Sequence, residues 1–241
     1  MSKITMANFP ELPYAVEEAV NRLRININFL GNDIRKIMVV STMPNEGKSF
    51  VTMQLWRQMA EAGTSTVLVD LDLRKSIMTE KYGITTDDGE EIKGTSFYLS
   101  HPIDLDEAIC KTDMEYGDIL PNVDNVINPS MLLESKRFEE MLNYMGEKYR
   151  YALFDSPPLN IVSDGERIGN LCDGAILVVR GGETPKGMVK HSLMQLERAG
   201  CPLLGVVLNR VQGGGSGYYY KKYGGSYYGG HYYGSEYYYG K

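Results

Sequence analysis

Short apolar runs rich in β-branched residues recur along the first 211 residues. Between them the apolar positions fall at the three-to-four-residue spacing of helices. Lys36 to Val40 (KIMVV), Thr66 to Val69 (TVLV), Tyr151 to Phe154 (YALF), Ala175 to Val179 (AILVV) and Leu203 to Leu208 (LLGVVL) read as buried strands. Ala15 to Leu30, Ser49 to Ala62, Arg137 to Lys148 and Lys186 to Ala199 read as helices. A strand that is apolar at every position has both faces covered. Alternation of such strands with helices predicts an α/β fold, a parallel sheet with helices on both faces. Ligands on such sheets bind at the carboxyl ends of the strands.

The pattern stops near Gln212. The last 30 residues hold 11 tyrosines and 10 glycines and no Leu, Ile, Val, Met or Phe. Such a segment has little to bury and a high entropic cost of ordering, so it predicts a flexible, low-complexity tail. The organisation is therefore a single domain over residues 1–211 and a tail over 212–241.

Charge and cysteine usage narrow the function classes. With 25 basic and 31 acidic residues the net charge is −6, which disfavours a globally basic nucleic-acid binder. Cys110, Cys172 and Cys201 are scattered, with no CxxC pair, so neither a disulfide framework nor a zinc site is expected. His101, His191 and His231 are equally dispersed, and Trp56 falls on a core-facing helix. No apolar run approaches the roughly 18 residues of a membrane span, and the first residues carry no secretion signal. A cytoplasmic location is the expectation.

The chemistry begins directly after KIMVV. Ser41 to Ser49 (STMPNEGKS) lies between a strand and a helix and ends in Gly47-Lys48-Ser49, the end of a phosphate-binding loop. Backbone N–H groups there point at phosphate oxygens, Lys48 reaches the β- and γ-phosphates, and the Ser49 hydroxyl suits Mg²⁺. Thr42 stands where the usual motif has its first glycine. Two acidic motifs follow. The second strand runs into Asp70-Leu71-Asp72-Leu73-Arg74, whose i and i+2 carboxylates project together from an extended segment and need a cation. The third ends in Phe154-Asp155-Ser156-Pro157-Pro158, an acid at a strand end followed by two prolines that stop the strand. Asp155 there suits Mg²⁺, directly or through water.

The ordered set SxxPxEGKS, VLVDLDLR and FDSPP resembles the bacterial tyrosine kinases of capsule and exopolysaccharide synthesis. The resemblance extends to Asn128-Pro129-Ser130, Asp164, DGAILVVRGGET, GVVLN and the tyrosine-rich end. It implies a P-loop NTPase-like fold, ATP or ADP with Mg²⁺ as cofactors, and protein-tyrosine kinase activity. By the same resemblance Thr42, Met43, Pro44, Asn45, Glu46, Gly47, Lys48, Ser49, Phe50 and Asn209 bind nucleotide, with Asn209 at the adenine edge. Asp70, Lys48, Asp72 and Arg74 are catalytic, Asp70 taking the tyrosine proton, while Ser49, Asp72 and Asp155 organise the metal. Asp164 is implied near the metal region, and as a sequence feature Ser163-Asp164-Gly165-Glu166 equally reads as a helix start. The alternative class is a partition- or division-type ATPase that switches oligomeric state with nucleotide. Those carry an additional lysine early in the loop, where this chain has Met43.

The family's Glu-x-x-Arg-x-x-Arg docking element is matched by Glu18 and Arg24, with Asn21 in the middle place and Arg22 beside it. The resemblance implies a ring-type homo-oligomer through these residues and a membrane-embedded activator that recruits the protein to the inner face of the membrane. It makes Tyr218, Tyr219, Tyr220, Tyr223, Tyr227, Tyr228, Tyr232, Tyr233, Tyr237, Tyr238 and Tyr239 the sites of autophosphorylation between subunits. A flexible chain of this length spreads about 30 Å, enough to reach a neighbouring copy.

Overall fold

The computed structural model describes residues 2–211. A seven-stranded sheet runs through the molecule. Its strands are β2 (Lys36–Ser41), β3 (Thr66–Asp70), β5 (Cys110–Lys111), β6 (Gly117–Leu120), β7 (Tyr151–Asp155), β8 (Gly174–Arg180) and β9 (Leu203–Asn209), in the spatial order β5-β6-β3-β7-β2-β8-β9. Every neighbouring pair is parallel except β5 with β6. A separate two-stranded sheet pairs β1 (Ile4–Met6) antiparallel with β4 (Ile84–Thr86).

The continuous apolar runs have the expected cause. Met38 and Val40 of β2, Val67 and Val69 of β3, and Ala175 and Leu177 of β8 face one layer. That layer is filled by Phe138, Met141, Leu142 and Met145 of α7 (Lys136–Lys148), Ile168 of α8 (Asp164–Gly169) and Leu196 of α9 (Lys186–Arg198). Ile37, Leu68, Leu153 and Ile176 face the other layer, with Val20 and Ile27 of α1 (Tyr14–Asn28) and Met53, Trp56 and Met59 of α2 (Lys48–Glu61). The edge strand β9 is the most open of the long strands, leaving Val206 and Leu208 about half exposed. The five strands and four helices read from the sequence are all present, each within one or two residues of its expected ends.

The stretch between β3 and α7 carries what the sequence pattern did not announce: α3 (Met78–Tyr82), α4 (Gly94–Ser100), α5 (Leu105–Ala108), α6 (Ser130–Leu133), β5 and β6. β6 reads Gly-Asp-Ile-Leu, and its glycine is a packing requirement. A Cβ at Gly117 would lie 2.8 Å from the Trp56 ring and 2.9 Å from Ala60. The indole is fully buried there, and its Nε1–H donates to the Asp118 carbonyl at 3.0 Å. Trp56 is thus a core residue. All three cysteines are buried and unpaired. Among the described residues no helix is long and apolar enough to cross a membrane.

Candidate active site

β2 lies between β7 and β8, and the chain leaves it to build the sheet in both directions, so a crevice opens at its carboxyl end. Ser41 ends β2, Asp70 ends β3, Asp155 ends β7 and Asn209 ends β9. In the parallel register Asp70 is the direct neighbour of Asp155.

The loop from Thr42 to Gly47 turns from β2 into α2. Two residues adopt positive φ, Asn45 at 63° and Gly47 at 94°. Gly47 is required twice over. Its backbone is left-handed, and a Cβ there would stand 2.1 Å from the Asn209 amide nitrogen. Asn209 donates that amide to the Glu46 carbonyl at 2.8 Å and accepts the Arg210 N–H at 2.9 Å. Glu46, nearly fully buried, accepts the Met43 N–H at 2.9 Å and the Thr184 hydroxyl. The Ser41 hydroxyl donates to the Met43 carbonyl at 2.8 Å, and Asn160 donates its side-chain amide to the Thr42 carbonyl at 3.2 Å. Polar side chains from three distant parts of the chain, Asn160, Thr184 and Asn209, therefore hold the loop. Sequence reasoning did not single out Thr184 or Asn160; Thr184 sat inside the matched GGET stretch, and nothing marked Asn160.

Lys48 begins α2 and turns into the crevice. Its Nζ donates to Asp72 Oδ2 at 2.9 Å and lies 3.8 Å from Asp155 Oδ2 and 3.3 Å from Ser49 Oγ. Burial would depress the Lys48 pKa, but Asp155, Asp72 and Asp70 outweigh it and hold it above its usual value. Asp70 and Asp155 are both only 1% exposed. Burial, and then the like charge of Asp155, push Asp70 up to about 7 against the pull of Ser76 and Lys48. Asp155 is likewise raised by burial, opposed by Lys48 and by hydrogen bonds from Ser49 and Thr52. Three buried carboxylates thus share one ammonium, a surplus of negative charge that a cation would relieve.

Both oxygens of Asp70 are engaged: Oδ1 accepts the Asp72 N–H at 3.1 Å, and Oδ2 accepts the Ser76 hydroxyl. The strand ends at Asp70, so Asp72 stands in the following turn and its Oδ1 accepts the Lys75 N–H at 3.2 Å. Arg74 forms a two-pronged pair with Asp164 at 2.5 and 3.0 Å and donates to the Ile127 carbonyl at 3.2 Å. Ser163 is the N-cap of α8 and makes no side-chain cap; Asp164 starts that helix and spends its carboxylate on Arg74. Phe50, on the first turn of α2, packs beside Val39, Val51 and Val178 with the Lys81 ammonium 5.7 Å from its ring centre. Glu18, Arg22 and Arg24 all lie on α1, remote in sequence from the loop; Arg24 is tied to Asn21 at 2.8 Å. The tyrosines from Tyr218 to Tyr239 lie outside the described residues.

The residues fit a nucleotide with Mg²⁺. The positive end of the 14-residue helix α2 faces the loop. The Thr42 hydroxyl is buried there without a partner among the described residues, and the carboxylate surplus lies alongside. Among those residues no three acidic, histidine or cysteine side chains could hold a metal by themselves. Mg²⁺ characteristically takes one or two carboxylates and completes its shell with phosphates and water.

Residues 37–222 match the CobQ/CobB/MinD/ParA nucleotide binding domain family. A tyrosine-protein kinase CpsD of Streptococcus agalactiae serotype III is 34% identical over 195 residues, covering 81% of this chain and 82% of the relative. The kinase domain of the Escherichia coli tyrosine kinase ETK superposes with a TM-score of 0.75 at 27% identity, over 84% of this chain and 78% of that one. The septum site-determining protein MinD of Pyrococcus horikoshii gives 0.63 at 26% identity, over 74% and 71%. The kinases are the nearer in both fold and sequence, so the division-ATPase alternative falls behind. With a nucleotide-binding loop intact and this degree of kinship over four-fifths of its length, the chain belongs to the bacterial tyrosine-protein kinases associated with capsule synthesis.

Proposed function

We propose that the crevice at the ends of β2, β3 and β7 grips Mg-ATP and passes the terminal phosphoryl group to tyrosines of residues 212–241 on a neighbouring copy. The observation that carries this is the Lys48 ammonium, held at the start of α2 between Asp72 and Asp155. Lys48, tied to these carboxylates, is positioned to turn to the phosphates of a bound nucleotide. Ser49, Asp72 and Asp155 are the residues that would hold Mg²⁺. When bound, the ion neutralises phosphate charge that would otherwise oppose an incoming nucleophile.

The chain's own groups divide the remaining work. Loop N–H groups from Thr42 to Phe50 and the positive end of α2 orient the phosphates. Lys48 follows the charge of the transferring group. Asp70, adjacent and shielded from water, accepts the phenol proton, which a tyrosine of ordinary pKa near 10 does not give up unaided. Asn209, at the end of β9 and against Gly47, is assigned to the adenine edge. Arg74 acts from one step back, fixing the turn that carries Asp72 through its pair with Asp164. Glu18, Arg22 and Arg24 are assigned to the contact between copies, which brings the tail of one to the site of the next. A membrane-embedded activator would recruit the assembly to the inner face of the membrane.

Incubating the full chain with Mg-ATP and mapping phosphate by mass spectrometry tests the reading directly. Phosphotyrosine confined to 218–239, lost in Asp70→Asn while nucleotide binding persists, is the expected result. Phosphate absent from that segment, or wild-type transfer by Asp70→Asn, would overturn it.

A further inference from the structure

A second cavity adjoins the site. Between the first residues of α3 and the segment after β6 lies an open cleft of about 470 Å³, lined among others by Ser76, Thr79, Glu80, Thr85, Asn122 and Val123. Its two walls are fixed to each other. Thr79 donates to the Asn122 carbonyl at 3.3 Å, and Asn125 accepts the Ser76 N–H at 2.8 Å. The volume falls within the range of ordinary ligand pockets, roughly 300–1,000 Å³. No group of the phosphate-binding machinery lines it. One wall, however, is shared: Ser76 lines the cleft and also donates its hydroxyl to Asp70. Its oxygen accepts the Met78 N–H at 3.2 Å, which leaves its hydrogen for Asp70. The cleft and the proposed proton acceptor are therefore separated by a single side chain.

The tail has a pattern that matches this spacing. In an extended segment residues i and i+2 face the same side, about 7 Å apart. Two clusters supply tyrosines at that interval, Tyr218 with Tyr220 and Tyr237 with Tyr239. Each cluster is followed within two residues by a lysine, Lys221 and Lys241. Glu80, exposed, is the charged residue lining the cleft. Lys81 is turned toward the Phe50 and Tyr82 rings. Glu80 is thus opposite in sign to the unmodified tail, with its three lysines and one glutamate.

We infer that this cleft is the acceptor-flanking subsite: when one tyrosine of a tail cluster from a second copy meets Asp70, the tyrosine two residues away lies in the cleft against Val123 and Thr79. This rests on the reading of the tail as substrate. It makes clustered tyrosines better acceptors than isolated ones, because the ring in the cleft aligns the ring that reacts. Phosphate on the cleft-bound residue would meet Glu80, so each cluster releases after its first modifications.

The full-length acceptors carry Lys48→Met, which slows their own transfer about 10²–10³-fold. In these, Tyr237 is kept, the tail tyrosines other than Tyr237 and Tyr239 are changed to Ser, and Tyr239 is changed to Phe or to Ala. Phosphorylation of Tyr237 by wild-type enzyme is followed by mass. The Ala acceptor should show a KM about tenfold higher than the Phe acceptor, at unchanged affinity for ATP. Enzyme carrying Val123→Arg, a substitution at an exposed position, should remove the difference by raising KM for the Phe acceptor alone. Equal KM for the two acceptors on wild-type enzyme overturns the subsite, as does a Val123→Arg enzyme that still distinguishes them. A Val123→Arg enzyme that keeps the distinction but loses its response to an activator fragment would give the cleft to that partner instead. If neither acceptor is modified while the wild-type tail is, the subsite fails alone. If the wild-type tail is not modified either, the substrate reading itself fails.

Discussion

The two ends of helix α2 are built on opposite principles. At its start Lys48 stands among three buried carboxylates, with a partnerless hydroxyl and a strained loop nearby. Toward its other end Trp56, Met59 and Ala60 are sealed against Gly117 and the inner face of the sheet, with the indole N–H paired. The rear half is a satisfied core that holds the helix at a fixed height. The front half is a set of charges that are satisfied only in part. The satisfied half fixes the position of the unsatisfied one, and an element that serves as anchor at one end can afford ligand-dependence at the other.

Substitutions can separate the halves. Trp56→Ala should have the largest effect on folding, about 3–5 kcal/mol from the cavity and the lost hydrogen bond. Urea denaturation would measure it, and nucleotide affinity of the folded fraction should stay near wild type. Lys48→Met should do the reverse, lowering phosphoryl transfer by about 10²–10³-fold, the usual scale for removing one charge-stabilising group. A coupled assay of ATP-dependent tail phosphorylation reads it, and a Lys48→Met enzyme with wild-type turnover would detach the lysine from the reaction. Gly117→Ala presses a methyl onto the Trp56 ring and should cost about 1–3 kcal/mol by overpacking. A neutral result would mean that the indole can withdraw, and that the rear half is softer than its contacts imply.

Asp70→Asn is the subtlest test of stability, because the amide also weakens the bonds from Ser76 and from the Asp72 N–H. Asp70 has a raised folded-state value of about 7, so the folded protein holds a proton that the unfolded chain releases near pH 4. Its contribution to stability is therefore present at acid pH and is lost as pH rises through about 7. Thermal melts without ligand should show wild type losing ground to Asp70→Asn between pH 5 and 8. A pH-independent gap would mean that the carboxylate is ionised throughout.

The parallel core was legible because both of its faces are covered, and that leaves strands without polar interruptions, as in Ile37 to Val40 or Leu153 to Phe154. The loop and its two acidic partners were legible because each follows such a strand directly. What escaped notice is held by contacts distant in sequence. β6 is a four-residue strand whose glycine answers to Trp56, 61 positions earlier. The Arg74–Asp164 pair spans 90 residues, and the Glu46–Thr184 bond 138. None leaves a periodic trace. The short helices α3 to α6 are likewise too brief for a 3.6-residue rhythm to show.

The surplus of carboxylates around Lys48 reaches beyond the reaction. A pocket with surplus negative charge makes the folded state itself more durable when the nucleotide it binds is plentiful, by mass action. Abundance of the enzyme would then follow the energy supply of the cell: starvation for ATP would leave more chains open to proteolysis, and signalling capacity would decline along with the fuel it consumes.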